Sequence, residues 1–363
     1  MNRFFLYDYL QVSGGAERLA LSFVDEFADF QMVVSRVYPE AVPLLDSFPL
    51  SSQNLMAIGS PLTKCLPRVA EALLVFSLRS EILREADTVI YSGFYAPLAV
   101  RYQLRGKKLF YCHTPPRFAY DRKAATLHRM PDAMRPLVGK MIDTYRCRFE
   151  SAIGTMDRVL TNSENVRARI QRDLGIDSIV VYPPIDTQRF KWIGAGDYFI
   201  SLARLTSQKR VAAIIRAFLA MPHEKLVVAS GGIQEAHLRQ LARGAANIQF
   251  TGWLSESDLC RLVGSSRAAI YVPHDEDFGM SPVEAMAAGK PVIGVAEGGM
   301  LETVVNGETG RLVAPELQIE DIVEAVGWLT RERATMLRRA CELRAEMFSK
   351  QRFADTMRRH LYW

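Results

Sequence analysis

At 363 residues, 49% hydrophobic and 23% charged with mean hydropathy near zero, the chain has apolar material for two cores and is neither disordered nor fibrous in composition. The net charge of +5 conceals a local excess, because between Arg101 and Glu150 twelve lysines and arginines stand against four acids while the rest is slightly acidic. That stretch suits a phosphorylated ligand, an anionic membrane surface or simply a solvated face, and with little aromatic interleaving and no nucleic-acid motif it points away from nucleic acid.

In chain order, residues 4–10 (FFLYDYL) read as a strand, 15–27 (GAERLALSFVDEF) as an amphipathic helix and 32–38 (MVVSRVY) as a second strand, a βαβ opening. Gly14-Gly15 lies between the first strand and its helix. Backbone N–H groups there can approach an anion, which makes Gly15 a candidate diphosphate contact, although a Gly pair also makes an ordinary βα turn. Residues 66–86 predict a helix carrying Leu66, Val69, Leu73, Phe76 and Leu83, with Arg68, Arg79 and Arg84 outside them. That pattern suits docking at a membrane interface or a core-facing amphipathic helix. Further strands are expected at 87–93, 108–114, 158–163 and 178–184, giving a mostly parallel sheet covered on both faces. His113 lies at the end of the second of these runs, just before Pro115-Pro116, where a lone histidine is either structural or catalytic.

Pro183-Pro184 and the polar stretch after them interrupt the alternation and suit a linker, so a first domain over 1–182 and a second over 183–345 are expected, with a last amphipathic helix over 346–363. The second half restarts as strand 198–205, helix 209–220, strand 225–231, helix 235–244, strand 248–252, helix 255–266, strand 268–273, helix 281–289, strand 291–296 and a return helix, a doubly wound pattern. Arg204 and Lys209 follow its first strand, where cations can neutralise a diphosphate or simply lie on the surface. In DEDFGMSPVEAMAAGKPVIG (275–294), Glu276 falls on a loop and Glu284 on the first turns of a helix. A loop carboxylate can hold sugar hydroxyls, Gly279, Met280 and Ser281 can offer backbone N–H groups to phosphate, and Glu284 can hold ribose hydroxyls or act as an ordinary early-helix acid.

No apolar run reaches the roughly 18 residues needed to span a bilayer, and residues 1–17 break into polar residues and glycine before a signal segment could form, so a cytosolic protein is expected. Cys65, Cys112, Cys147, Cys260 and Cys341 contain no CxxC pair and read as core thiols, and no second histidine stands at ligand spacing from His113, so no metal site is expected.

Taken in order, GGAE (14–17), HTPPR (113–117), TNSENVRARI (161–170), YPPID (182–186), LARLTSQKR (202–210) and the Glu276–Glu284 pair resemble the family-4 glycosyltransferases over essentially the whole chain. The resemblance implies the α/β GT-B architecture: two Rossmann-like doubly wound domains facing a central cleft, with the C-terminal helix crossing back to the N-terminal domain. It implies retaining, metal-independent hexosyl transfer with no cofactor beyond the nucleotide-sugar donor. By position, Gly15 would lie under the donor diphosphate, Arg204 and Lys209 on its phosphates, Glu284 on the ribose, and His113 and Glu276 at the donor sugar as the catalytic pair. Gly231, Gly232, Trp253 and Leu254 would line the base. Many members read EGFG where this chain has Glu276-Asp277-Phe278-Gly279, which adds a carboxylate near the sugar. CHTPPRFAYD (112–121) resembles a loop of bacterial surface-polysaccharide mannosyltransferases, which favours GDP-mannose as donor over UDP-sugars and a lipid-linked glycan as acceptor. The expected setting is the cytoplasmic face of the inner membrane, peripherally bound. A UDP-sugar enzyme of the same fold and a non-catalytic partner subunit remain the alternatives.

Overall fold

Strands that are apolar on both faces need cover on both faces, and the first half of the chain supplies it with helices between parallel strands. The computed structural model describes residues 2–11, 14–48, 54–60, 63 and 65–363. The chain divides into two units, Met1–Tyr182 and Pro183–Trp363.

The first unit runs β1 (Arg3–Tyr7), α1 (Gly15–Glu26), β2 (Gln31–Val34), α2 (Val42–Leu45), β3 (Leu55–Ala57), α3 (Arg68–Leu78), β4 (Thr88–Ser92), β5 (Lys107–Cys112), α4 (Lys123–His128), α5 (Arg135–Ile153), β6 (Arg158–Thr161), α6 (Glu164–Leu174) and β7 (Ile179–Val180). The described strands form a parallel sheet in the order β3-β2-β1-β4-β5-β6-β7. Helix α5 buries Ile142, Tyr145, Phe149, Ala152 and Ile153, a spacing that puts one stripe on the sheet, and Phe149 meets Phe110 of β5 edge-on at 5.9 Å. Helix α6 is bounded by local chemistry: the Ser163 hydroxyl accepts the Val166 N–H at 3.0 Å, and Gly175 closes the other end at φ 68°.

Several expectations change here. The first strand stops at Tyr7, because Asp8 turns inward to bind backbone N–H groups, and 178–184 contributes only Ile179–Val180. Strand β3 was not foreseen; three residues are too few to show a period. The helix expected over 66–86 ends at Leu78 and is followed by a 3-10 turn at Glu81–Leu83. Phe76 and Leu83 are fully buried, so the core-facing reading holds for them, whereas the exposed apolar residues of α3 are Val69, Leu74 and Leu78. Only Cys112 and Cys341 are core thiols; Cys260 is half-buried, and Cys65 and Cys147 are exposed.

The second unit runs β8 (Tyr198–Ser201), α7 (Val211–Leu219), β9 (Lys225–Val228), α8 (Glu235–Leu241), β10 (Ile248–Phe250), α9 (Glu256–Ser265), β11 (Ala268–Tyr271), α10 (Met280–Ala287), β12 (Val292–Val295), α11 (Met300–Thr303), β13 (Gly310–Val313), α12 (Ile319–Trp328), α13 (Arg331–Glu346) and α14 (Lys350–Leu361). Its sheet is parallel in the order β10-β9-β8-β11-β12-β13. Strand β13 escaped sequence reading, and the single return helix is in fact α12 and α13. At Gly310 an added Cβ would run into the backbone of Val292, so the β12–β13 approach requires glycine there. Ser349 caps α14, and Ile185 exchanges backbone hydrogen bonds with Phe348 and Lys350, tying the helix start to the first residues of this unit.

Replacing Phe149 by Ala is expected to cost about 3–5 kcal/mol and replacing it by Leu distinctly less, because the cavity, not the loss of aromaticity, dominates. Urea denaturation followed by tryptophan-independent far-UV circular dichroism measures both; equal costs for the two variants would remove the cavity argument.

Candidate functional site

In each sheet the winding reverses once, between β1 and β4 and again between β8 and β11. At such a reversal the loops leaving two neighbouring strand ends part to opposite faces and leave a crevice at the carboxyl edge, the usual ligand position in open α/β sheets. Of the residues singled out from the sequence, Gly15 follows β1, Arg204 and Lys209 follow β8 and Glu276 follows β11, while His113 follows the neighbouring β5.

In the first unit, the Asp8 carboxylate lies past β1 and accepts the backbone N–H groups of Phe94 (2.7 Å), Tyr95 (2.8 Å) and Ala96 (2.8 Å). It thereby caps the 3-10 segment Ala96–Tyr102 and holds the loop after β4 against β1. The carboxylate approaches Gly93 so closely that a Cβ there would sit 2.6 Å from it, and Gly93 also has φ 102°, so both space and conformation call for glycine. Burial outweighs the three N–H donors and raises the Asp8 carboxyl to about 6. His113, just past β5, stands 2.9 Å by Nε2 from the Ser92 hydroxyl, meets Tyr7 edge-on at 6.1 Å, and is pushed down to about 4 by desolvation. Its backbone carbonyl accepts the Asn162 side-chain amide at 3.0 Å, so the strand end that carries it is fixed. The ring is a neutral hydrogen-bonding group at neutral pH. Helix α1 begins at Gly15 without a side-chain cap, but the Glu17 carboxylate of its first turn folds back over Gly14. An anion at the Gly15 N–H therefore competes with Glu17, which the sequence did not suggest.

In the second unit, the Lys209 ammonium lies in the 3-10 turn Ser207–Lys209, ahead of α7 instead of within it. It donates to the Glu276 carboxylate and to the Tyr271 hydroxyl (2.8 Å), and that hydroxyl donates to the same Glu276 oxygen at 2.8 Å. Ammonium, phenol and carboxylate form a closed triangle at the end of β11. Burial, and then the Glu276 charge, hold the Tyr271 phenol well above its usual range, so it stays a donor. The Glu276 loop is kept in place from below: Gly299 N–H donates to the Glu276 carbonyl at 2.9 Å, and a Cβ at Gly298 or Gly299 would strike the backbone of Glu276 or Phe278. Arg210, at φ 51°, donates to the Val272, Pro273 and Pro315 carbonyls and to Glu297 at 2.9 Å, stitching three loops together. Helix α10 starts after Gly279 (φ 92°) with no side-chain cap, which leaves the N–H groups of Met280 and Ser281 at an open helix end.

Lys209 and Glu276 are thus brought into contact, Arg204 is exposed but close enough to act on the Tyr271 phenol, and Glu284 is buried at 4% exposure within α10, its charge also felt by Tyr271. Gly231 and Trp253 meet as well: a Cβ on Gly231 would lie 2.5 Å from the indole Nε1, so the absent side chain makes room for an exposed Trp253 beside the ends of β9 and β10. Gly232 is exposed and Leu254 half-buried in the same loops. Sequence reading missed Asp8, Ser92, Tyr271, Arg210 and the Gly298-Gly299 pair. Only the glycine pair left a signal, standing as it does just after a strand run. Among the described residues no group of three or more His, Cys, Asp or Glu is placed to hold a metal ion.

The family model described as Glycosyltransferase Family 4 matches residues 13–189, and that described as Glycosyl transferases group 1 matches residues 185–347. An alpha-1,3/1,6-mannosyltransferase of Dictyostelium discoideum is 28% identical over 58% of this chain and 59% of its own, and one of Mus musculus is 25% identical over 82% and 78%. The chain spans under two thirds of the length of the first of these relatives. Among solved structures, the sucrose-phosphate synthase of Thermosynechococcus elongatus is similar at a TM-score of 0.75 and 17% identity over 99% of this chain and 98% of that one. The Anabaena protein HepE in complex with UDP is similar at 0.76 and 17% over 99% of both.

Asp8 and His113 predict opposed pH dependences. Asp8 protonates near 6 when folded and near 3.8 when unfolded, so its contribution to stability falls as pH rises from about 4 to about 6. His113 protonates near 4 when folded and near 6.5 when unfolded, so its contribution grows as pH rises through the same window. Relative to the unmodified protein, Asp8→Asn should gain stability between pH 4 and 6 and His113→Gln should lose it, each by a few kcal/mol at most. Urea midpoints across that range test this, and three parallel midpoint curves would refute both assignments.

Proposed function

Because the chain belongs to the family-4 glycosyltransferases of GT-B fold, we propose that it transfers mannose from GDP-mannose, with retention and without a metal, to a lipid-linked glycan acceptor in bacterial surface-polysaccharide synthesis. The observation that carries this reading is the Lys209–Tyr271–Glu276 triangle beside the uncapped start of α10. It sets an ammonium, a fixed carboxylate and free backbone N–H groups at one strand edge. A nucleoside diphosphate sugar needs that combination: cations and N–H donors for the diphosphate, and an oriented carboxylate for hydroxyls.

In this reading Lys209 and Arg204 balance the charge that grows on the departing diphosphate, and the α10 N–H groups of Met280 and Ser281 share it. Glu276 holds donor-sugar hydroxyls, Glu284 the ribose, and Trp253 with Gly231, Gly232 and Leu254 the base. From the first unit, Gly15 serves the diphosphate and His113, neutral at working pH, a sugar hydroxyl. The acceptor hydroxyl attacks on the face the phosphate leaves and a phosphate oxygen takes its proton, so no side chain acts as nucleophile. Mannose is favoured by the mannosyltransferase names of the relatives. Among the described residues no helix is long and apolar enough to cross a membrane, and the basic stretch 101–150 suits peripheral attachment to an anionic cytoplasmic leaflet.

Thermal stabilisation separates the donors, since a ligand at a hundred times its Kd adds about 2.7 kcal/mol to the folded state. GDP-mannose should raise the melting midpoint with or without EDTA. A shift given only by UDP-sugars would replace mannose, a shift abolished by EDTA would end the metal-free reading, and no shift with any nucleotide would favour a non-catalytic partner subunit. In steady-state assays Lys209→Met and Glu276→Gln should each lower kcat/KM by roughly 100-fold or more, about 3 kcal/mol of transition-state stabilisation. The double variant should fall short of the product of the two, because both changes break one triangle; full multiplicativity would show that the residues act separately.

A further inference from the structure

The carboxyl edge of the first unit's sheet is accounted for, but a second concavity lies at the opposite edge. A cavity of about 500 Å³ opens among the ends of α3 and α5, the turn before β5 and the start of β5 itself. That volume is in the range of small-ligand sites. Lys108, which lines it, is the second residue of β5, and His113 follows the last; at about 3.3 Å per residue the two lie about 16 Å apart along the strand. The cavity is therefore separate from the edge that carries His113 and Asp8.

Its lining is chemically one-sided. Arg101, Lys108 and Arg148 contribute three cations, and no acidic residue lines it. Neither the Lys108 ammonium nor the Arg148 guanidinium makes a side-chain hydrogen bond or ion pair among the described residues. Arg101 donates only to neutral oxygens, the Ser77 carbonyl and the Tyr102 hydroxyl (3.1 Å), and keeps further N–H donors. Of the acids nearest in sequence to the lining residues, Glu150 pairs with Arg146 and accepts the Tyr120 hydroxyl, and Asp157 accepts the Lys108 backbone N–H at 2.8 Å; neither lines the cavity. Helix α5 presents Cys147, Arg148 and Ser151 from adjacent turns of one face, and Thr155 follows its end. Leu98 and Val100 form an apolar wall. Arg101 and Arg148 are exposed and Lys108 half-buried, so their charges are partly screened, but a concavity lined by one sign of charge still raises the local concentration of anions.

We propose that this cavity is a binding site for a phosphate ester of small organic body, the cations and hydroxyls taking the phosphate and the apolar wall the carbon skeleton. The same chemistry is offered by a soluble sugar or polyol phosphate and by an anionic phospholipid headgroup. Leu78 and Leu104, exposed and each next in sequence to a lining residue, would meet the acyl region in the second case. The site does not depend on the donor reading and stands or falls apart from it.

Cys147 on the rim gives a readout that needs no activity, and Cys65, the other exposed thiol, is the internal control. Iodoacetamide labelling of each cysteine is followed by peptide mass spectrometry with glycerol 3-phosphate, with phosphatidylglycerol vesicles, or with phosphatidylcholine vesicles. A ligand at ten times its Kd slows labelling of Cys147 about tenfold, in proportion to 1 + [L]/Kd, and leaves Cys65 unchanged. Protection by glycerol 3-phosphate supports the site and a soluble ligand; protection by phosphatidylglycerol vesicles alone supports it and a membrane source. Three results overturn it: no protection by either, equal protection of Cys65 or by phosphatidylcholine, and undiminished protection in a Lys108→Gln/Arg148→Gln variant whose melting midpoint matches the parent.

Discussion

A parallel sheet cannot be closed by hairpins; each strand must be followed by a crossover over one face, and where the crossovers change face two strand ends lose their cover. Both sheets obey this, with the reversal at β1/β4 in one unit and β8/β11 in the other. The long-range contacts that open each candidate site cluster follow from it. Asp8 reaches the N–H groups of residues 94–96 because β1 and β4 are neighbours in space although some eighty residues apart in sequence, and Lys209 reaches Glu276 and Tyr271 because β8 and β11 are neighbours in the same sense.

The two clusters differ in how they hold charge. In the first unit burial favours neutral forms: the Asp8 carboxyl moves up and the His113 ring moves down, so the edge presents hydrogen-bonding groups of low net charge. In the second unit the half-buried Glu276 carboxylate keeps a cation and a phenol as donors, and losing either partner leaves it less compensated.

Glycine does a different job in each place. Gly93 admits the Asp8 carboxylate, Gly298 and Gly299 let the Glu276 loop lie directly on backbone, and Gly231 leaves room for the Trp253 indole. A methyl group at any of these would displace the side chain or loop it meets.

The alternation of apolar runs and amphipathic helices, the Pro183-Pro184 interruption, and the helix starting after Gly279 with Glu284 inside it were legible in the sequence, since each depends on neighbours within a few residues. So was the family resemblance, which rests on short motifs in order. The tertiary structure alone decided that Lys209 binds Glu276 through Tyr271, that Asp8 caps a segment beyond β4, that Glu17 competes for the start of α1, and that Phe76 and Leu83 face the core while Leu78 does not. It also gathered Arg101, Lys108 and Arg148 around one cavity, where the sequence showed only a basic stretch. Except for the local fold of Glu17 over Gly14, those facts turn on which segments far apart in the chain lie together, and a period of two or of 3.6 residues carries no information about which strand lies beside which.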